Sequence, residues 1–234
     1  MVDTAIMPRN AGHPSRRRRA LAGLCAALAL AACQTPPAVP RTASGEQTMP
    51  PTRQEDQVFL ALIRGMNDKG QSQAALAFLD DYLGRNPNDI EGLTLRGDAL
   101  LRTGQIDAAE AVYVDLDKRR VQPAAAFGLG QVRAKVNDWA GASAQFARAA
   151  QAAPTDTRIL NNYGFALLKL QQYPKAYDVL ARATQLSPDS QQIKTNFVIA
   201  ALNSGHEREA QAVIAAMPAA ERDKTLSFAR SWKP

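Results

Sequence analysis

Residues able to do covalent or acid–base chemistry are few in this chain. The 234 residues include two cysteines, Cys25 and Cys33, and two histidines, His13 and His206. So small a set excludes a disulfide framework and a Cys/His zinc cluster. His206 falls in the turn-like stretch Ser204-Gly205-His206-Glu207, where it should be solvated. A general base needs a nucleophile beside it, and the spacing supplies none. Asp80-Asp81 and Asp115/Asp117 are acidic pairs that read as charged outer helix faces, not as paired catalytic carboxylates. Gly97, Gly128, Gly130 and Gly164 form no phosphate-binding loop and read as helix-packing positions. The expectation is a non-enzyme with no cofactor and no metal.

The composition, 46% hydrophobic and 21% charged, is that of an ordinary globular chain. The net charge of +6 is unevenly placed. Residues 1–32 hold five arginines against one acid, Asp3, so the remainder carries 23 basic and 21 acidic residues. A nucleic-acid partner therefore loses its electrostatic support.

Those arginines are part of an address. Arg16 to Arg19 precede an apolar run from Ala20 to Ala32, too short to span a membrane as a helix. The run ends Leu30-Ala31-Ala32-Cys33. This resembles the lipobox of bacterial lipoproteins. The resemblance implies removal of 1–32, a diacylglyceryl thioether on Cys33 and an acylated amino terminus. Gln34 replaces the aspartate that retains such proteins in the inner membrane, which implies an outer-membrane, periplasm-facing location. Residues 33–55 follow as a tether, with Pro36, Pro37, Pro40, Pro50 and Pro51 among Thr, Ser, Gly and Gln. Such a stretch cannot bury a core.

The elements that fill the rest are set by a period. Alanine recurs at Ala75, Ala109, Ala142, Ala176 and Ala210, at spacings of 34, 33, 34 and 34 residues. Four residues later stand Leu79, Tyr113, Phe146, Leu180 and Ile214. Five residues before each alanine stands a turn-type residue: Gly70, Gly104, Asn137, Gln171 and Gly205. Pro87, Pro154 and Pro188 mark where helix pairs should end. On these residues the chain resembles the tetratricopeptide repeat family. The resemblance implies an all-α solenoid of about five helix pairs, at 56–89, 90–122, 123–156, 157–190 and 191–217. Gly97, Gly130 and Gly164 are expected to face Ala109, Ala142 and Ala176. Residues 218–234 are expected to cap the array, with a helix over 219–230 and Trp232 closing the open end.

The repeat register places Phe127, Gln131 and Lys135, then Arg158, Asn161, Phe165 and Lys169, then Thr195 and Ile199, on the first helices and on one inner groove. Phe127 and Phe165 are expected there as open rings, available to anchor a peptide with apolar side chains and some acidity. Asn162 and Asn196 occupy positions that, in some family members, hold a bound peptide's backbone; for Asn162 the equal alternative is that it caps a helix turn or is solvated. Phe127, Gln131 and Gln192 replace residues of the family's two-carboxylate clamp, which argues against a chaperone-tail ligand.

Signal, lipobox, tether and repeats together resemble the TadD-type lipoproteins of tight-adherence (Flp) pilus assembly. The stretches Asn161–Leu168 and Ile193–Leu202 are similar in kind to the last two repeats of that group. The resemblance implies a pilotin-like partner of the outer-membrane secretin or another pilus component. The same plan also serves type IV pilus pilotins, outer-membrane protein assembly and recruitment of peptidoglycan hydrolases.

Overall fold

The structure, a computed structural model, describes residues 53–233. Cys33, the segment 1–32 and the tether up to residue 52 lie outside the described residues. Five helix pairs follow one another: α1 (Arg53–Asp68) with α2 (Ser72–Arg85), α3 (Ile90–Arg102) with α4 (Ile106–Lys118), and α5 (Ala124–Lys135) with α6 (Trp139–Ala152). Then come α7 (Thr157–Lys169) with α8 (Tyr173–Leu186), α9 (Gln191–Asn203) with α10 (Glu207–Ala215), and finally α11 (Ala219–Ser231). No strand occurs among the described residues. The first helix begins at Arg53, within the stretch read as tether. Each helix packs on the next, and the first helices also meet one another, α1 with α3, α3 with α5 and α7 with α9.

Turn chemistry explains why each pair folds back. The five turn-type residues all take positive φ: Gly70 at 77°, Gly104 at 81°, Asn137 at 60°, Gln171 at 57° and Gly205 at 82°. Each first helix closes with a backbone bond from the residue after the turn to a carbonyl five residues back. Gln105 N–H donates to the Leu100 carbonyl at 2.9 Å, and His206 N–H to that of Ala201 at 2.8 Å. This is the Schellman arrangement, which satisfies carbonyls that the helix end leaves free. Asn tolerates the left-handed region better than most side chains; Gln171 accepts a cost of about 1–2 kcal/mol there.

The second helices end differently. α2, α6 and α8 stop two residues before Pro87, Pro154 and Pro188. The residues between, Asn86, Ala153 and Ser187, have ψ of 62°, 76° and 71°, outside the helical region. A following proline ring clashes with a helical predecessor and forces this exit. α4 has no proline at that place. It ends instead through Arg120, at φ 59°, with Val121 N–H donating to the Leu116 carbonyl at 3.0 Å.

The periodic alanines are fully buried, as are Leu79, Tyr113, Phe146 and Leu180, whereas Ile214 is half-buried. The role expected of the glycines needs correction. A Cβ on Gly97 would first meet the Tyr113 ring at 2.6 Å, one on Gly130 the Phe146 ring at 2.5 Å, and one on Gly164 the Leu180 side chain at 2.4 Å. The glycines thus make room for the bulky residue one turn beyond the alanine. Gly128 presses on the same Tyr113 ring, with a Cβ only 2.1 Å from Cε1, so two glycines from successive first helices cradle one tyrosine.

Candidate protein-binding face

Positions four residues apart stack on one side of a helix. On α5 this aligns Phe127, Gln131 and Lys135; on α7 it aligns Asn161, Phe165 and Lys169, with Arg158 a turn earlier. The α5 end of the face is partly open. Lys135 is exposed, and the Gln131 side chain keeps a buried Oε1 with no hydrogen-bond partner. Phe127 is half-buried, its ring centroid 5.7 Å from that of Phe146. The Arg158 guanidinium sits 5.9 Å above the same ring. A second guanidinium contact fixes its direction: Arg158 Nη2 donates to Asp156 Oδ2 at 2.9 Å. Asp156 caps α7 by accepting from the backbone N–H of Arg158 and Ile159. Burial alone would raise the Asp156 carboxyl, but the Arg158 bonds and charge and the two N–H groups hold it below the usual carboxylate range.

Asp98, from α3, adds a group that sequence reasoning missed. Its Oδ1 accepts from the Tyr113 hydroxyl at 2.6 Å. Burial pushes the Asp98 carboxyl up, against the opposing pull of that bond and of Arg102 and Arg158. The Tyr113 hydroxyl is pushed up in turn, by burial first and by the Asp98 charge second. One sequence signal was available: Asp98 lies four residues before Arg102 and adjoins the periodic Gly97.

The α9 end of the face is filled by the chain itself. Thr195, Asn196 and Ile199 are buried, and so is Asn161. Asn196 Nδ2 donates to Asn161 Oδ1 at 2.9 Å, an amide pair locked between α7 and α9. The Thr195 and Thr225 hydroxyls are 3.1 Å apart, and Gln191 Nε2 donates to Thr225 Oγ1 at 2.8 Å, which ties α9 to α11. Lys194 Nζ reaches Glu221 on α11 at 3.8 Å. Phe165 is not an open ring. It is half-buried between Trp139 and Trp232, with centroid distances of 5.7 and 5.9 Å, both edge-to-face. Lys169 Nζ lies 5.6 Å from the Trp139 ring and 5.5 Å from the Trp232 ring. The expectation of two open phenylalanines is therefore corrected: Phe127 packs on the bulky residue of its own pair, and Phe165 is capped by two indoles. Trp232 covers Phe165 and Lys169 of α7 on the inner face, and it is α11 that packs on α9 and α10.

Asn162 donates through Nδ2 to the Arg158 carbonyl at 2.8 Å, a bond within its own helix. His206 is not freely solvated. Its ring stacks on Tyr177 at 3.8 Å, and Nδ1 is 2.9 Å from Ser204 Oγ. Each acidic pair is engaged by arginine: Asp80 with Arg96, Asp81 with Arg85, Asp115 with Arg119, and Asp117 with Arg148. Among the described residues no three His, Cys, Asp or Glu side chains gather as a metal site would need, and no helix is long and apolar enough to cross a membrane.

Stacked antiparallel helix pairs of about 34 residues, with a side-chain-rich face on the first helices, define a protein-binding α-solenoid. The chain belongs to the tetratricopeptide repeat family. One tetratricopeptide repeat model matches residues 68–120, 94–157 and 127–191, and a second matches 167–227. A TPR repeat-containing protein of Pseudomonas aeruginosa is 33% identical over 147 residues, 63% of this chain. The chain spans 57% of the length of that relative. A thermophilic TPR protein of Thermus thermophilus superposes with a TM-score of 0.60 at 20% identity, covering 76% of this chain and 100% of that one. MamA of Desulfovibrio magneticus gives 0.55 at 21% identity, covering 76% and 97%. At these identities the two structures share the fold. Repeats of this family mediate protein–protein interaction, and the chain is a repeat scaffold of that kind.

Proposed function

We propose that the protein is a lipid-anchored periplasmic scaffold of the outer membrane that acts in tight-adherence (Flp) pilus assembly, in a pilotin-like role toward the secretin. The observation that carries this reading is the order of parts in one chain. The basic run Arg16–Arg19, the apolar segment and Leu30-Ala31-Ala32-Cys33 precede a proline-rich tether and then a repeat array. An acylated Cys33 holds the array at the membrane, since each buried methylene contributes about 0.8 kcal/mol. The tether lets it reach a membrane-embedded partner, and the α5–α7 face, with Phe127, Gln131, Lys135 and Arg158, receives a segment of that partner. The likeness in kind of Asn161–Leu168 and Ile193–Leu202 to TadD-type repeats supports the choice of machine.

Two measurements test it. Cys33→Ser, or globomycin treatment, should leave an unprocessed precursor or release the protein from the membrane fraction; unchanged processing and fractionation in both would remove the anchor. Deletion of the gene should lower the outer-membrane level of the secretin encoded with the pilus genes. An unchanged secretin level and unchanged multimer assembly would remove the pilotin role while leaving the scaffold.

A further inference from the structure

We propose that the open face of α1 is a self-association surface, on which a second copy of this chain docks its own α1 antiparallel to the first.

Val58, Leu62 and Gly65 stand at i, i+4 and i+7 on α1, so they share one side of that helix. Carried along the repeat period, Val58 corresponds to Gly92, Ala125, Ile159 and Ile193, all buried. The helix pair before each of them supplies the cover. A Cβ on Gly92 would lie 3.0 Å from Leu83 and Tyr82 of α2; Ile159 packs with Ala149 of α6, and Ile193 with Ala183 of α8. Gly65 corresponds to Ala99, Val132, Ala166 and Ala200, which are fully buried too. No pair precedes α1 among the described residues, and there the same stripe is open. Val58 is 66% exposed and Leu62 62%. Phe59 and Phe78, with ring centroids 6.3 Å apart, widen the apolar patch, and Phe78 is itself exposed. A repeat array ordinarily presents polar faces at its ends. At the other end of this array the exposed stripe of α11 obeys that rule, with Asp223, Ser227 and Arg230 at the same spacing. The α1 end carries instead the side chains of an internal stacking surface.

The later stripes are covered by helices, so the occupant of this one is a helix with an apolar stripe. The tether supplies none, because Pro50 and Pro51 directly precede α1 and proline breaks a helix. The polar stripe of α11 does not match either, which leaves α1 of a second copy. A surface that meets itself closes as a two-fold pair and does not grow into a filament. The antiparallel alignment fits in shape and in charge. With the two-fold axis beside Leu62, Val58 of each copy comes level with Gly65 of the other. Nothing lies within 4 Å of a Cβ placed on Gly65, so that spot has room for the Val58 side chain. The first turn of α1 is acidic, with Glu55 and Asp56, and the exposed Lys69 follows its last turn. Antiparallel pairing sets each acidic end beside the other copy's Lys69, while Asp68 is turned to Arg102 at 3.6 Å. One helix stripe per copy is a contact of the small class, below about 1,200 Å², so the pair should be weak, with a dissociation constant on the order of 10 µM.

The test uses the full chain with Cys25→Ser and Cys33→Ser, followed by sedimentation velocity across concentrations that bracket that value. A monomer–dimer equilibrium is expected, with no larger species. Leu62→Glu, on an exposed side chain, should weaken it at least about ten-fold and leave the melting temperature of the dilute chain unchanged. A chain that stays monomeric throughout, or a dimer indifferent to Leu62→Glu, overturns the proposal. Crosslinking covers the case in which the charged variant loses its fold. Leu62→Cys should give a disulfide-linked dimer on mild oxidation, because the axis passes beside it, whereas Ala144→Cys on the exposed side of α6 should give none. Equal crosslinking at the two positions, or none at Leu62→Cys, overturns it. A monomer in which the chain's own amino-terminal segment covers α1 would show that second result.

Discussion

The inner face differs between its two halves. Along α3, α5 and the start of α7 it is charged and partly open, with Asp98, Lys135, Arg158 and the unpaired Gln131 carbonyl. Along α9 and the end of α7 it is closed, because Thr225 of α11 and Trp232 just after that helix cover Thr195 and Phe165. Identical repeat geometry underlies both. What separates them is occupancy, so a repeat face that looks like a binding surface from its register can already be a core.

The largest effect should come from the packing that both halves share. A Cβ on Gly128 would fall 2.1 Å from the Tyr113 ring, which is fully buried and hydrogen-bonded to Asp98, so the ring has no room to retreat. Gly128→Leu should cost about 3 kcal/mol or more, at the upper end of overpacking penalties, measured by urea denaturation. Gly164→Leu should behave similarly, since it meets Leu180 at 2.4 Å. A neutral result at both positions would break the common geometry on which the comparison stands.

The closed half should respond to loss of one hydroxyl. Thr225→Val keeps the shape but leaves Thr195 and Gln191 with an unpaired buried group, a cost of about 1–3 kcal/mol. The matching change in the open half, Lys135→Ala on an exposed side chain, should alter stability by less than about 0.5 kcal/mol. Equal effects would erase the difference between the halves.

The alanine and glycine period made the helix pairs, their turns and the buried alanines legible, because one packing problem is solved five times with similar residues. Ends were legible where proline bars a helical predecessor or glycine permits a positive φ. The closed half was not. Thr225, Phe228 and Trp232 stand outside the period, and which surface a helix covers after Pro218 is decided by tertiary contact. The period also marked Gly97 and Gly130 as small without showing that the rings of Tyr113 and Phe146, not the alanines, fill the space. Phe127 and Phe165 fall on the expected helices, but their neighbours Phe146 and Trp139 come from α6 and Trp232 from the segment after α11. The Asp98–Tyr113 bond was hidden for the same reason.

The smallest effect is a pH dependence within the open half. Burial raises the Asp98 carboxyl in the folded chain above its unfolded value. A raised carboxyl contributes stability below the unfolded pKa, about 3.9, and loses it as pH climbs through the folded value. The natural chain should therefore lose stability relative to Asp98→Asn between pH about 3.9 and neutrality, as read by thermal melts across that range. A gap that widens in the natural chain's favour as pH rises would reverse the assignment.

On the proposed function, the open half of the first-helix face receives the partner. Photocrosslinking probes at Lys135 and Gln131 of α5, set against probes at the exposed Ala144 and Gln151 of α6, decide it in cells that express the pilus genes. Secretin adducts are expected from the α5 positions and none from α6. Adducts from α6 with none from α5 would contradict it and move the interface to the second helices.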